Sequence, residues 1–193
     1  MPDLRRNQAG YESPTMYTFI PATSLQLNTD GTANGDGLVL GSLNGIPFAE
    51  FDPGAGTALA ANDGFGFALV VPYQYPADTG GNFTVRTFVG ITGGGGTETG
   101  TFQLLLENNA NDAATADPND FTIAADQGAV AFDADNSLHE ITFQVPYIDL
   151  SPGRLLGCEL SVSAVTGMGA DTEELRVFGG IEVIWRPLGV YLV

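Results

Sequence analysis

Few side chains in this chain carry a reactive group, and their positions limit the chemistry open to it. His139 is the single histidine and Cys158 the single cysteine. Nucleophilic catalysis needs a nucleophile beside a base that is itself oriented. His139 shares its parity with Ile141 and Phe143 in an alternating run, which predicts a satisfied, partly buried histidine near a strand end. Cys158 falls on the apolar face of its own run, as a buried structural thiol does. Gly41-Ser42-Leu43-Asn44-Gly45 has glycines at both ends but lacks the central Ser of a nucleophile elbow. One His and one Cys do not make a zinc site. No catalytic residue and no cofactor are expected.

Oxygen chemistry is better represented. Asn28 to Gly37 places donors at alternate positions before a glycine, as calcium loops do, with Asp30, Asn34 and Asp36 as candidates. Counted from Asp30, the twelfth position is Gly41, where such a loop needs a bidentate Glu. Asp133, Asp135 and Ser137 form a second set with the same gap. Asx and Gly are also the ordinary residues of turns, so no metal is assigned. Acidic residues are numerous enough to supply a glycosidase pair, but no spacing picks one out. Tyr73 and Tyr75, in Val71-Pro72-Tyr73-Gln74-Tyr75-Pro76, are the candidates for ligand-facing aromatics.

The elements that must position these groups are strands. His139–Tyr147, Leu156–Val165 and Glu174–Arg186 alternate over unusual lengths. Ile141, Phe143, Val145 and Tyr147 share one face of the first run. Leu156, Cys158, Leu160, Val162 and Ala164 share one face of the second, against Glu159, Ser161 and Ser163. Leu175, Val177, Ile181, Val183 and Trp185 share one face of the third. Shorter signals lie at Tyr17–Ile20, Leu38–Leu40, Ile46–Phe51, Phe65–Val71, Phe83–Ile91 and Thr101–Glu107, with a weaker one at Phe121–Ala124. Eight to ten strands without a helical stripe predict an all-β fold: an antiparallel two-sheet sandwich of jelly-roll type. It occupies residues 16–187, between an extended N-terminal arm (1–15) and an apolar C-terminal tail (188–193). Phe178 and Ile184 point away from the inward face of their strand, and Leu105 does the same in its own. With Arg5 and Arg6 of the arm and Leu188, Val190, Tyr191 and Leu192 of the tail, Phe178 and Ile184 are the interface candidates. The tail can add an edge strand to its own sheet or to a neighbour's.

Composition narrows the partners. Six Arg and no Lys stand against 23 acidic residues, a net charge of −17. Phosphate recognition needs basic patches, so nucleic acid is excluded. Between Thr87 and Gly153 there are ten acidic residues and no Lys or Arg; a solvated acidic face and adaptation to high salt both fit. A lone cysteine allows no internal disulfide, which points to assembly in a reducing cytoplasm. Met1 to Gln8 has no apolar stretch behind its basic pair, and no run reaches about 18 apolar residues, so neither a signal peptide nor a membrane partner is expected.

Phe65-Gly66-Phe67-Ala68-Leu69-Val70-Val71-Pro72, the Phe83–Ile91 strand before a Gly-rich turn, and Leu138-His139-Glu140-Ile141-Thr142-Phe143 follow one another in a recognisable rhythm. Ser151-Pro152-Gly153 and Gly179-Gly180-Ile181-Glu182-Val183-Ile184-Trp185 complete it. The series, from about Phe65 to Arg186, resembles bacteriophage jelly-roll virion proteins, of the head decoration (cement) or tail-associated kind. The resemblance implies a non-enzymatic subunit, most often a homotrimer, on the capsid surface, with the major capsid protein and copies of itself as partners. The expectation is therefore a capsid decoration protein, assembled in host cytoplasm. The alternative is a carbohydrate-binding or receptor-binding jelly-roll module, and a third reading is a sandwich glycosidase.

Overall fold

The computed structural model of the chain describes residues 15–27, 37–54, 58–71, 82–92, 97–108, 122–132, 137–146, 153, 155–167 and 174–185. Period-2 alternation makes strands, and burying one face of each forces two sheets together. Among the described residues there are eleven strands: β1 (Met16–Pro21), β2 (Gln26–Leu27), β3 (Gly37–Leu43), β4 (Ile46–Asp52), β5 (Gly64–Val70), β6 (Asn82–Ile91), β7 (Glu98–Asn108), β8 (Thr122–Phe132), β9 (His139–Pro146), β10 (Leu155–Thr166) and β11 (Leu175–Trp185). A 3₁₀ turn, Ala22–Ser24, follows β1. One sheet runs β3-β4-β11-β6-β9, with β1 also on β11; the other runs β2-β5-β10-β7-β8. Every pairing is antiparallel. The expected jelly-roll sandwich is thus the fold.

The core lies between the sheets. Phe51, Ile91, Ile141, Phe143 and Leu175 from one sheet meet Phe65, Phe102, Leu104, Phe132, Leu156 and Leu160 from the other, all fully buried. Each such side chain is worth about 1.5–3 kcal/mol on burial. The Phe102 and Phe132 rings meet edge to face at 6.2 Å.

Two irregularities decide which residues face inward. In β10 one extra residue is inserted against β7 between Val162 and Ala164, and the Ser163 hydroxyl donates to the Thr101 carbonyl at 3.2 Å. One added residue reverses parity. Ala164, expected inside, is exposed, and Val165 packs against the core in its place. In β11 two residues, Gly179 and Gly180, are inserted against β6. Two additions restore parity, so Leu175, Val177, Ile181, Val183 and Trp185 all face inward as expected.

The same two glycines let β11 change partners on one edge. Leu175–Phe178 pair with β4, whereas Gly180–Trp185 pair with β1. The Thr87 hydroxyl donates to the Gly180 carbonyl at 2.9 Å and pins the bulge. Gly180 has φ +148°, and a Cβ there would sit 2.2 Å from the Ile20 carbonyl oxygen. Glycine is required twice over, by conformation and by the close passage of β1. The polar side of β10 is a further departure. Glu159 and Ser161, expected in solvent, are buried; the Gln103 amide donates to Ser161 Oγ (3.1 Å) and to Asn62 Oδ1 (3.2 Å).

Replacing Gly180 with Ala is expected to lower the unfolding free energy by about 1–3 kcal/mol or more. Gly66→Ala, where an added Cβ meets nothing within 4 Å, should stay within about 0.5 kcal/mol of the parent. Urea denaturation of the two variants checks this; equal losses would show that Gly180 is not specially required.

Candidate functional site

The outer face of the six-stranded sheet is where polar and aromatic side chains converge. Strand register sets them in rows. One row runs Phe19, Glu182, Arg86, Thr142 across β1, β11, β6 and β9; the next runs Tyr17, Ile184, Thr84, Gln144. A third runs Phe48, Phe178, Phe88, Glu140 across β4, β11, β6 and β9. Tyr17 and Phe19 are each 60% exposed and Phe88 41%. Strand spacing and rise make the β1-to-β9, Thr84-to-Phe88 area about 14 by 13 Å.

Arg86 is the centre of this face. Its Nε donates to Glu182 Oε2 at 2.7 Å, and a terminal nitrogen bonds the same oxygen. Glu140 Oε1 lies 4.0 Å from its other terminal nitrogen. The hydrogen bonds to Glu182 strengthen the guanidinium's hold on its proton. Beside it, the Thr84 hydroxyl donates to Gln144 Oε1 at 3.1 Å. Arg86, Glu182 and Glu140 together carry one negative charge in excess. The result is a surface of exposed rings beside planar hydrogen-bonding groups held by their pairing.

At its far end the same face is closed. Arg176 binds Glu50 through Nε, lies 3.9 Å from Glu174, and stacks 4.4 Å over the Phe48 ring. Thr92 Oγ1 donates to Glu174 Oε2 at 2.9 Å. Phe48 packs edge to face on Phe178 at 5.8 Å. Phe178 therefore points outward as its parity demands, yet it is 3% exposed; its partner is Phe48 of its own chain. Ile184 is half-buried among Tyr17 and Thr84 on the open part of the face.

The remaining candidates divide. Cys158 is buried, and desolvation pushes its thiol far above the ordinary range. His139 meets Phe132 edge to face at 5.4 Å. Its Nε2 is enclosed without a hydrogen-bond partner, unlike the satisfied histidine expected. Ser42 sits within β3, not on a strand-to-helix turn. Among the described residues no group of three or more His, Cys, Asp or Glu is placed to hold a metal. Asp30, Asn34, Asp36, Tyr73, Tyr75, Arg5, Arg6, Leu188, Val190, Tyr191 and Leu192 lie outside the described residues. Tyr17 and Phe19 were legible as a short strand, but the face they join depends on pairing with β11, which their own spacing does not encode.

No protein-family model matches the chain, and no curated protein sequence matches it. Its fold does match solved structures. The CBM22-1 xylan-binding domain from Paenibacillus barcinonensis Xyn10C superposes with a TM-score of 0.52 at 10% identity, over 94% of this chain and 100% of that domain. The CBM22-1–GH10 modules of Clostridium thermocellum endo-1,4-beta-D-xylanase 10B, complexed with xylohexaose, superpose with a TM-score of 0.50 at 14% identity. That match covers 93% of this chain and 29% of the xylanase chain, so this chain spans less than a third of it. At such identities the likeness establishes a class, the jelly-roll β-sandwich also used by carbohydrate-binding modules.

Burial raises the pKa of Glu50, against the opposing pull of Arg176. The folded chain thus binds this proton more tightly than the unfolded chain does. Its stabilising contribution is complete below the ordinary carboxylate range and is lost as pH rises through the raised value. Glu50→Gln should therefore flatten the decline in stability as pH rises above that range. Chemical denaturation across this window checks it; an unchanged slope would show that Glu50 does not govern the decline.

Proposed function

We propose that this chain is a non-catalytic carbohydrate-binding sandwich that holds its ligand on the outer face of the six-stranded sheet. The observation that carries the reading is the placement of exposed Tyr17 and Phe19 beside the Arg86–Glu182 and Thr84–Gln144 pairs. A sugar ring presents apolar C–H groups on its faces and hydroxyls around its rim. Aromatic rings supply contact for the former, and guanidinium, amide and carboxylate groups supply donors and acceptors for the latter. Rigid pairing of the polar groups lowers the ordering cost of binding. The shared fold supports the reading at the level of architecture.

Charge selects the ligand class within it. Arg86 is occupied by Glu182, Glu140 adds a negative charge, and the chain carries −17 overall. An anionic glycan meets repulsion here, so the ligand is a neutral one. The capsid-decoration reading has less behind it: Phe178, one of its contact residues, is already covered by Phe48.

Retention on insoluble neutral polysaccharides, and titration against their soluble oligomers, tests the proposal. Tyr17→Ala and Phe19→Ala should each weaken binding about tenfold, equivalent to about 1.4 kcal/mol, with an unchanged circular dichroism spectrum. No hydrolysis should accompany binding. Failure to bind any neutral glycan, or full affinity in both variants, would sink the reading; preference for polyanions would overturn the charge argument alone.

A further inference from the structure

We infer that the free edge of β3 is a self-association surface that pairs antiparallel with β3 of a second copy. β3 is joined to β4 by the two-residue turn Asn44–Gly45, where φ is +51° and +83°, as a type I′ hairpin requires. Among the described residues no strand pairs with its other edge. Exposed edges are normally blunted by charge, proline or a bulge. Gly37-Leu38-Val39-Leu40-Gly41-Ser42-Leu43 has no charge and no proline, and its register with β4 is unbroken. Val39 is 44% exposed and Leu40 49%.

The occupant follows from charge and shape. Two copies of a chain with net charge −17 repel wherever their acidic surfaces meet. An uncharged edge is where they can approach without that cost, and the second copy brings the same edge. Pairing about the midpoint sets Leu40 opposite Leu40 of the second copy, and Val39 opposite Gly41. The fit is one of large against small: the Phe48 ring lies so close over Gly41 that a Cβ there would fall 2.5 Å from it. Val39 of one copy would thus pack beside the Phe48 ring of the other. The operation is a two-fold, so it closes as a dimer and not as the trimer that the virion resemblance implies. A contact of this extent is smaller than a standard interface, so the dimer depends on concentration.

Sedimentation equilibrium of the full chain over a wide concentration range tests this. The mass should rise from 20.1 kDa towards twice that value, and Leu40→Lys should hold it at the monomer with unchanged circular dichroism. Opposed residues of an antiparallel pair have Cα atoms about 4.5–5.5 Å apart, which a disulfide can span. Leu40→Cys should therefore cross-link two copies under mild oxidation. Val70→Cys, exposed on the opposite sheet, should not, and Cys158 is buried and does not interfere. A monomer at every concentration, a dimer that survives Leu40→Lys, or equal cross-linking of Leu40→Cys and Val70→Cys would overturn the inference.

Discussion

The structure depends on β11 having three partners. β6 takes one edge along nearly its whole length, while β4 and β1 divide the other. Without the Gly179–Gly180 insertion there is no room for that division, because the β1 backbone passes where any side chain at Gly180 would stand. The inward face of β11 supplies Leu175, Val177, Ile181, Val183 and Trp185 to the core. Its outward face supplies Arg176 to the closed end and Glu182 and Ile184 to the open one. One strand therefore fixes the core, the buried ion pair and the candidate binding face in a single register.

Alternation told most of the fold, and it failed where insertions intervened. β9 was readable almost residue for residue because its pairing with β6 is unbroken. β11 was readable despite its bulge because two added residues leave parity intact. β10 was misread beyond Val162 because a single added residue reverses it. β8 was reduced to Phe121–Ala124 although it spans Thr122–Phe132; register shifts against β7 at two places destroy its alternation. The Asn44–Gly45 turn that joins β3 to β4 was not read as a hairpin, although that residue pair favours one.

The candidate face was much less legible. Its rows combine residues far apart in sequence, such as Phe19, Glu182, Arg86 and Thr142, and no local spacing links them. Parity did place Phe178 and Ile184 outside, but it could not tell that Phe48 covers one and leaves the other half open. Burial of Glu159 and Ser161 has the same origin: a polar residue opposite the core reads as solvated until the pairing of distant segments is known.

The pairing of β1 with β11 also has a consequence in time. β1 leaves the ribosome long before β11, and its edge partner does not exist until nearly all the described strands have been made. Docking a strand across so large a sequence separation comes late, after the closer pairings have formed. Tyr17 and Phe19 thus remain without their neighbours through most of synthesis. The face they help to form is completed by the same event that closes the sheet, so a chain halted before β11 lacks the strand that joins β1 and the β3–β4 hairpin to β6 and β9, and with it the assembled surface.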